Sequence, residues 1–466
     1  MDLTHPAEID LLVIGGGLAG HAAALEAAEF GASVLLVEKM ADVGGSTIQS
    51  SGSFAFAGTQ AQRDAGFEDS PEEIRNDIDA ASGGLADPAL VSVYVEGQAD
   101  AYAWLKSKGV LFYPVTLSSN QTVPRTHATQ PIQLMEALHA KVLDSERVHF
   151  LACAAARRLT TDAKGTVTGA IFELKEGDWQ VRARRGVVLA TGGFSQNTEL
   201  IEKFAPRMST ALKLGGSGNT GDGLLMAWKL GADLVDMAYV NGTFGISINN
   251  YPDLQTRGAD EAILRLAIYR GGIAVNLEAQ RFADESISYK KLGEICLDQL
   301  DGVGFQIWDA NIMAQSVPAP TATDLEGALA RGLVRRADSI HELARTVGLT
   351  PERLISTVTR YNADVDAGRD SVFGRTSLGR GWGALVKIET PPFYIYPCTT
   401  GVLATYCGLR VTSHMECVDV FGEIIPNLYA AGEIVGGFHG SGYMSGSSLS
   451  KSVIFGRVAA ATAVAS

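Results

Sequence analysis

Three glycines and an acid near the start of the chain are the first residues whose types and spacing make chemistry. Gly15, Gly17 and Gly20 stand in Gly-x-Gly-x-x-Gly spacing, and Glu38 follows eighteen residues beyond Gly20. Glycine at position 15 permits a tight turn, at 17 it lets main chain approach a pyrophosphate, and at 20 it lets a helix pack on a strand. A carboxylate at Glu38 can accept from a ribose hydroxyl. These residues work only if particular elements hold them. Residues 9–14 form a short apolar run that reads as a buried parallel strand. Residues 23–28 lie in an alanine-rich helical pattern, and 33–37 form a second apolar run ending on Glu38. That order puts a helix N-terminus, with its unbonded N–H groups and positive dipole end, where phosphates would sit. The stretch predicts a dinucleotide-binding unit.

Composition bounds the rest. At 466 residues the chain can fold as two or three domains around a large core. Its 52 glycines, about 11% against a usual ~7%, imply many tight turns and close main-chain approaches. A net charge of −14 and an isoelectric point near 5.1 argue against nucleic acid or an anionic membrane as partner. No apolar run approaches the ~18 residues that span a bilayer, so no integral membrane segment is expected. The first eight residues lack the basic start and apolar core of a secretory leader. The five cysteines are scattered without Cys-x-x-Cys. That excludes attached c-type haem and an obvious cysteine-ligated cluster, and suits reduced thiols in a cytoplasmic protein. No metal constellation stands out.

Helical patterns cover residues 71–81, 88–108 and 131–143, and β-rich runs follow at 148–151, 167–174 and 179–181. Residues 186–190 form another apolar strand, which enters the turn Thr191-Gly192-Gly193. From about 234 to 384 the text changes: aromatic and polar residues mix, with helices near 339–347 and 351–367. Beyond that, glycine-rich strand text returns and closes in a small-residue helix over 447–465. The pattern predicts an α/β chain, α+β overall. Residues 1–233 and 385–466 form a Rossmann-like domain, and 234–384 an inserted α+β capping domain.

Several of these motifs resemble known text. Pro426-Asn427-Leu428-Tyr429-Ala430-Ala431-Gly432-Glu433 is similar to the late acid turn of flavoproteins, and Ala190-Thr191-Gly192-Gly193 to another of their turns. Adding Gly44-Gly45-Ser46-Thr47, the run 218–223, and 271–276 through Arg281-Phe282-Ala283-Asp284-Glu285, the chain resembles the fumarate reductase/succinate dehydrogenase flavoprotein family. The matches run in family order from residue 9 to 457. The resemblance implies FAD between a Rossmann-like domain and a mobile cap. Its contacts would fall on Gly15, Gly17, Leu18, Ala19, Gly20, Glu38, Lys39, Gly44, Gly45, Ser46, Thr47, Ser51 and Gly52. They would continue on Ala155, Thr191, Gly192, Gly193, Asn219, Asp222, Gly432, Glu433, Ser448 and Leu449. Membrane-bound members tether FAD to a histidine after the second strand. No histidine lies between Gly44 and Gly58, so FAD is expected to be noncovalent.

The active-site text departs from the dicarboxylate reductases of that family. Ala404 stands where they carry a histidine, and Tyr443 where they carry an arginine that grips a carboxylate. Two carboxylates need bidentate cationic anchors, and a main one is missing. Gly442 to Leu449 is instead similar to the Gly-Tyr-x-Ser-Gly-x-Ser-Leu text of 3-ketosteroid dehydrogenases. That implies α,β-desaturation of a cyclic ketone, a steroid or a smaller ring such as a 4-oxocyclohexanecarboxylate. Tyr443 and a main-chain N–H near Gly446 would steady the developing enolate as a donor pair. A base would take the α proton while the β hydride passes to flavin N5. Tyr289 is the candidate base and Tyr269 the reserve. Arg281 matches a family arginine that delivers a proton in reductases. It is a poor base, and in a dehydrogenase it would position substrate, support a tyrosinate, or pair with Glu285. His439 matches a histidine near the flavin, and His127 matches family text without an assigned role. An external acceptor (oxygen, a quinone or a carrier protein) would reoxidise the flavin. The alternatives are a reductase of an activated C=C bond and a flavin-binding protein without turnover.

Overall fold

The computed structural model describes residues 6–175, 177–254, 262–318, 321–379 and 383–466. Residues 1–5, most of the start read above for a leader, lie outside them. The chain divides into two compact units, one of residues 1–205, 215–240 and 404–466, the other of 206–214 and 241–403.

The first unit is built on a six-stranded sheet in the order Glu416–Val418, Ile424–Ala430, Val187–Leu189, Leu11–Ile14, Val34–Val37, Val148–Leu151. All its pairings are parallel except that of the edge strand Glu416–Val418. Leu11–Ile14 and Val34–Val37 are buried at every position, which is why they read as unbroken apolar runs rather than alternating ones. The predicted strand over 9–14 is two strands. Asp10 interrupts it, its carboxylate accepting the Ser33 N–H at 2.9 Å and hydroxyl at 2.7 Å. Glu8–Ile9 then pairs with Gly177–Ala183 in a separate four-stranded sheet. The helix after the glycines runs Leu18–Glu29, so it begins five residues before the alanine-rich text. It packs against the closing helix Ser447–Ala465.

The second unit has Phe393–Val402 as its spine. That strand pairs antiparallel with Thr243–Ser247, Gly304–Trp308 and Arg335–Ala337, and parallel with Leu212–Lys213. Its ten residues are all buried, and Phe244, Phe305, Ile307, Trp308 and Ile395 form the centre of its core. This pairing explains why the unit's edges differ from 234 and 384. The spine is strand text of the kind expected in the Rossmann-like part, but its three antiparallel partners lie in the insert and Leu212–Lys213 joins it from before the insert.

Candidate active site and cofactor cradle

In the first unit the chain leaves Leu11–Ile14 through Gly15 at φ +116°, where a Cβ would stand 2.3 Å from Ala190 O. At Gly20 a Cβ would stand 1.8 Å from Gly15 O, so only glycine lets the helix sit this close. Gly17 differs. A Cβ there would meet only Gly44 O at 3.9 Å, which leaves its main chain open to a bulky anion. Gly17 also caps the helix without a side-chain bond, so first-turn N–H groups remain to be satisfied. Leu18 N–H reaches Thr47 Oγ1 at 3.3 Å. Glu38 is held by two main-chain N–H groups, from Gly16 at 2.7 Å and Met40 at 2.8 Å.

The other expected cofactor residues converge on the same unit. Gly44 N–H bonds Gly16 O at 2.9 Å and starts the turn Gly45–Thr47. Ser46 Oγ accepts from Gly216 N–H at 3.1 Å. Ser51 Oγ meets Ser53 Oγ at 3.0 Å, and Gly52 lies against Thr129 O. Ala155 opens the strand Ala155–Thr161. Lys39 and Asp222 form an ion pair at 2.7 Å with each other, and Lys39 also bonds Thr220 Oγ1. Glu433 accepts the Thr405 N–H at 2.9 Å and the Asn219 side-chain amide at 3.1 Å, and burial raises its pKa. Gly192 and Gly193 lie against Asn219 and Glu433. Two polar atoms here, Thr191 Oγ1 and Asn219 Oδ1, are buried with no protein partner. Orphaned polar atoms beside an open glycine turn and a helix start without a side-chain cap fit a polar, anionic cofactor. Ser448 and Leu449 lie on the first turn of Ser447–Ala465, whose cap Gly446 likewise offers no side chain.

Beside this cradle stands an aromatic cluster. Half-buried Tyr443 accepts the Gly446 N–H on its phenol oxygen at 2.9 Å. The expected donor pair is therefore corrected: the Gly446 N–H is spent on Tyr443 itself. Burial pushes the phenol up to about 12, against the lowering effect of main-chain N–H bonds from Gly446 and Ser448. Tyr443 is thus a neutral donor, not a phenolate. Its ring stacks on that of Tyr406, centroids 4.9 Å apart and planes 25° apart. His439 meets Tyr406 edge-on at 4.8 Å. Its Nε2 lies 3.1 Å from Ser447 Oγ. Because that hydroxyl donates to Met444 O at 2.7 Å, Nε2 is the donor.

Tyr406 was not singled out by sequence. It is buried, and it holds φ at +58°, a left-handed backbone that a tyrosine adopts only when its surroundings dictate it. Two more residues escaped notice. Asn120 donates to Tyr443 O at 2.7 Å and Gln121 to Ser445 O at 2.8 Å, stitching the Tyr443–Gly446 loop to a polar run over 300 residues earlier. The polar text 118–121 was their one local signal. His127 is enclosed by Thr59 Oγ1 at 2.8 Å and Arg125 O at 2.9 Å, which makes it a packing residue; burial lowers its pKa to about 4.

The other candidates lie in the second unit. Arg281 is a buried structural hub, bonded to Glu285 at 2.5 and 2.8 Å and to Asp370 at 2.9 and 3.0 Å. Its guanidinium faces the rings of Tyr361 and Phe373. Burial works to lower its pKa, but these carboxylates outweigh that and raise it. Arg281 therefore holds its proton, and neither proton delivery nor support of a tyrosinate fits its surroundings. Tyr269 spends its hydroxyl on the start of helix Tyr289–Leu297, donating to Ile287 O at 3.0 Å and accepting the Tyr289 N–H at 2.8 Å. Tyr289 opens that helix half-buried, with the Lys290 ammonium 5.5 Å from its ring centre. Among the described residues no cluster of three His, Cys, Asp or Glu could hold a metal.

A parallel sheet with a glycine turn at its first helix and a buried acid turn at its last strand defines a flavin-dinucleotide oxidoreductase. The FAD binding domain family matches residues 10–449, so the chain belongs to that family; it is an FAD-dependent oxidoreductase acting on CH–CH groups. It is similar to urocanate reductase of Eggerthella lenta, 31% identical over 98% of this chain and 75% of that one. It is also similar to fumarate reductase (cytochrome) of Shewanella frigidimarina, 29% identical over 97% of this chain and 76% of the other. Solved structures share its fold, two of them as follows. The open conformation of a flavocytochrome c3 fumarate reductase matches 99% of this chain and 79% of its own, with a TM-score of 0.83 and 27% identity. The 3-ketosteroid-Δ4-(5α)-dehydrogenase of Rhodococcus jostii RHA1 matches 99% and 97%, with a TM-score of 0.77 and 29% identity.

Proposed function

We propose that this protein desaturates a cyclic ketone beside its carbonyl, on a 3-ketosteroid or a smaller ring such as a 4-oxocyclohexanecarboxylate. Tyr443 carries the reading. A neutral phenol, oriented by a main-chain N–H and an aromatic stack, suits the oxygen of a ketone. It does not suit a carboxylate, which calls for a cation. As charge develops on the carbonyl oxygen, Tyr443 donates to it, and a preorganised donor of this kind favours the transition state over the ground state. Tyr289 takes the α proton. Held noncovalently by the Gly15–Gly20 turn, Glu38 and Glu433, FAD would supply the acceptor for the β hydride, and an external acceptor (oxygen, a quinone or a carrier protein) would take the electrons onward. Arg281 keeps the structural part described above. A second reading, reduction of an activated C=C bond on the same site, is supported by the reductase relatives.

The test is anaerobic mixing of oxidised protein with a panel of cyclic ketones while the flavin absorbance is followed. Bleaching by a ketone supports the first reading. No bleaching by any ketone, with rapid reoxidation of reduced protein by an enoate, replaces it with the second.

A further inference from the structure

Lys451 has no part in the chemistry above, yet its placement is costly. It lies on helix Ser447–Ala465 with its side chain fully buried, and its Nζ donates to Val435 O at 2.9 Å. Among the described residues no carboxylate lies within 4.0 Å of that nitrogen. Phe438 and Phe455 present ring faces at 5.8 and 6.0 Å. The titratable groups that face it from other elements are Glu433, Cys407 and Asp236. Both carboxylates are already bonded to main chain: Glu433 to Thr405 N–H, and Asp236 to Gly437 N–H at 2.9 Å. Segment 432–440 is thus strung between Asp236, Glu433 and Lys451. An ammonium buried without a direct counter-ion opposes folding, and a methionine of similar length would not. Burial brings its pKa down to about 8.

We infer that Lys451 is a positioning residue of the cofactor site, whose positive charge beneath segment 432–440 tightens the hold on FAD and favours the reduced flavin. Hydride transfer adds one negative charge to the flavin, so a fixed buried cation stabilises the reduced form more than the oxidised one. The inference rests on reading Glu433, Ser448 and Leu449 as cofactor residues. A merely structural lysine would instead raise the stability of the protein without FAD.

The test compares Lys451→Gln, which keeps a donor for Val435 O, Lys451→Met, which keeps the length, and Lys451→Arg, which keeps the charge. Three quantities are measured: the FAD dissociation constant, the flavin midpoint potential, and the melting temperature of the FAD-free protein. A unit charge about 10 Å away at an effective dielectric of about 20 moves an equilibrium roughly tenfold. For the two-electron couple that is a potential about 30 mV more negative in the Gln and Met variants. Arg retains the wild-type value, and the FAD-free Met variant melts no lower than wild type. In wild type the potential also bends near pH 8, and in the Gln variant it does not. A Gln variant indistinguishable from wild type in potential and FAD affinity overturns the inference. So does a loss of melting temperature in all variants without a shift in potential. Glu433→Gln separates the two levels. If it leaves FAD affinity unchanged, the cofactor-site reading has failed. If it weakens FAD while the Lys451 variants are silent, only the inference has failed.

Discussion

In the proposed reaction Tyr443 meets the substrate oxygen, and Tyr406 is the ring that stacks on Tyr443. The phenol oxygen is fixed by the Gly446 N–H and the ring by the stack. Tyr443→Phe removes one hydroxyl, so fold and FAD content should persist. Flavin reduction by a ketone should slow on the order of 10²–10³-fold, as when one oxyanion donor is lost; stopped-flow absorbance measures it. Because the phenol sits at about 12, it stays protonated far above neutrality, and the pH profile should show no limb from Tyr443 below about pH 11. Tyr406→Leu removes a stack of the kind worth about 0.5–1.5 kcal/mol. It should lower kcat about 3- to 10-fold with FAD retained, while Tyr406→Phe should restore the rate. Equal rates in the Leu and Phe variants would show that the stack does not position Tyr443. Sequence pointed to Tyr443 because a tyrosine stands where a cation was expected. It was silent on Tyr406, whose role comes from a left-handed backbone and a ring met 37 residues later.

At the scale of elements, the arginine that family text marked for chemistry ties the second unit together. Arg281, Glu285, Asp370 and Arg375 interlock, and Arg375 also donates to Ile268 O and Gly272 O at 2.7 and 3.0 Å. Arg281→Met leaves Asp370 buried without its ion-pair partner and Glu285 with Arg375 alone, which should cost about 3–5 kcal/mol of stability, read as a lower denaturant midpoint. Loss of activity with unchanged stability would return Arg281 to a catalytic part. Asp370 adds a pH signature. Burial raises its pKa, but the bonds from Arg281 and the main chain win and lower it to about 2. Such a group contributes stability above its ordinary value of 3.8, and that contribution is lost as pH falls through about 2. Asp370→Asn should flatten this part of an acid unfolding curve followed by circular dichroism. Glu285 was within reach of sequence reasoning, four residues from Arg281. Asp370 and Arg375, about ninety residues on, carried no local signal. Helix starts were far more legible. Pro71, Pro88, Pro131 and Pro351 each stand at the first helical position, where a missing N–H costs nothing. The strand split at Asp10 was not, because it depends on Ser33.

For the whole molecule, the dinucleotide cradle flanked by the strands Leu11–Ile14 and Val34–Val37 and closed by Glu38 has one claimant, FAD. NADPH should therefore bleach the flavin only slowly, and rapid bleaching in a stopped-flow cell would contradict this. No histidine occupies the segment 44–58, so acid precipitation should leave a yellow supernatant; flavin in the pellet would mean a covalent link. The direction of the reaction is the broadest test. If a neutral phenol meets the substrate oxygen, a ketone should reduce the flavin and Tyr443→Phe should slow that reduction on the order of 10²–10³-fold. Fumarate should then be a poor oxidant of the reduced protein, because the residue at 443 offers it no charge. If the protein is a reductase, reduced flavin should be reoxidised rapidly by an enoate, and Tyr443→Phe should leave that rate nearly intact. Measuring both half-reactions in wild type and Tyr443→Phe separates the cases. Robust fumarate reduction insensitive to the substitution would reverse the proposed direction, and ketone-driven bleaching that slows with it by the expected factor would place the carbonyl at residue 443.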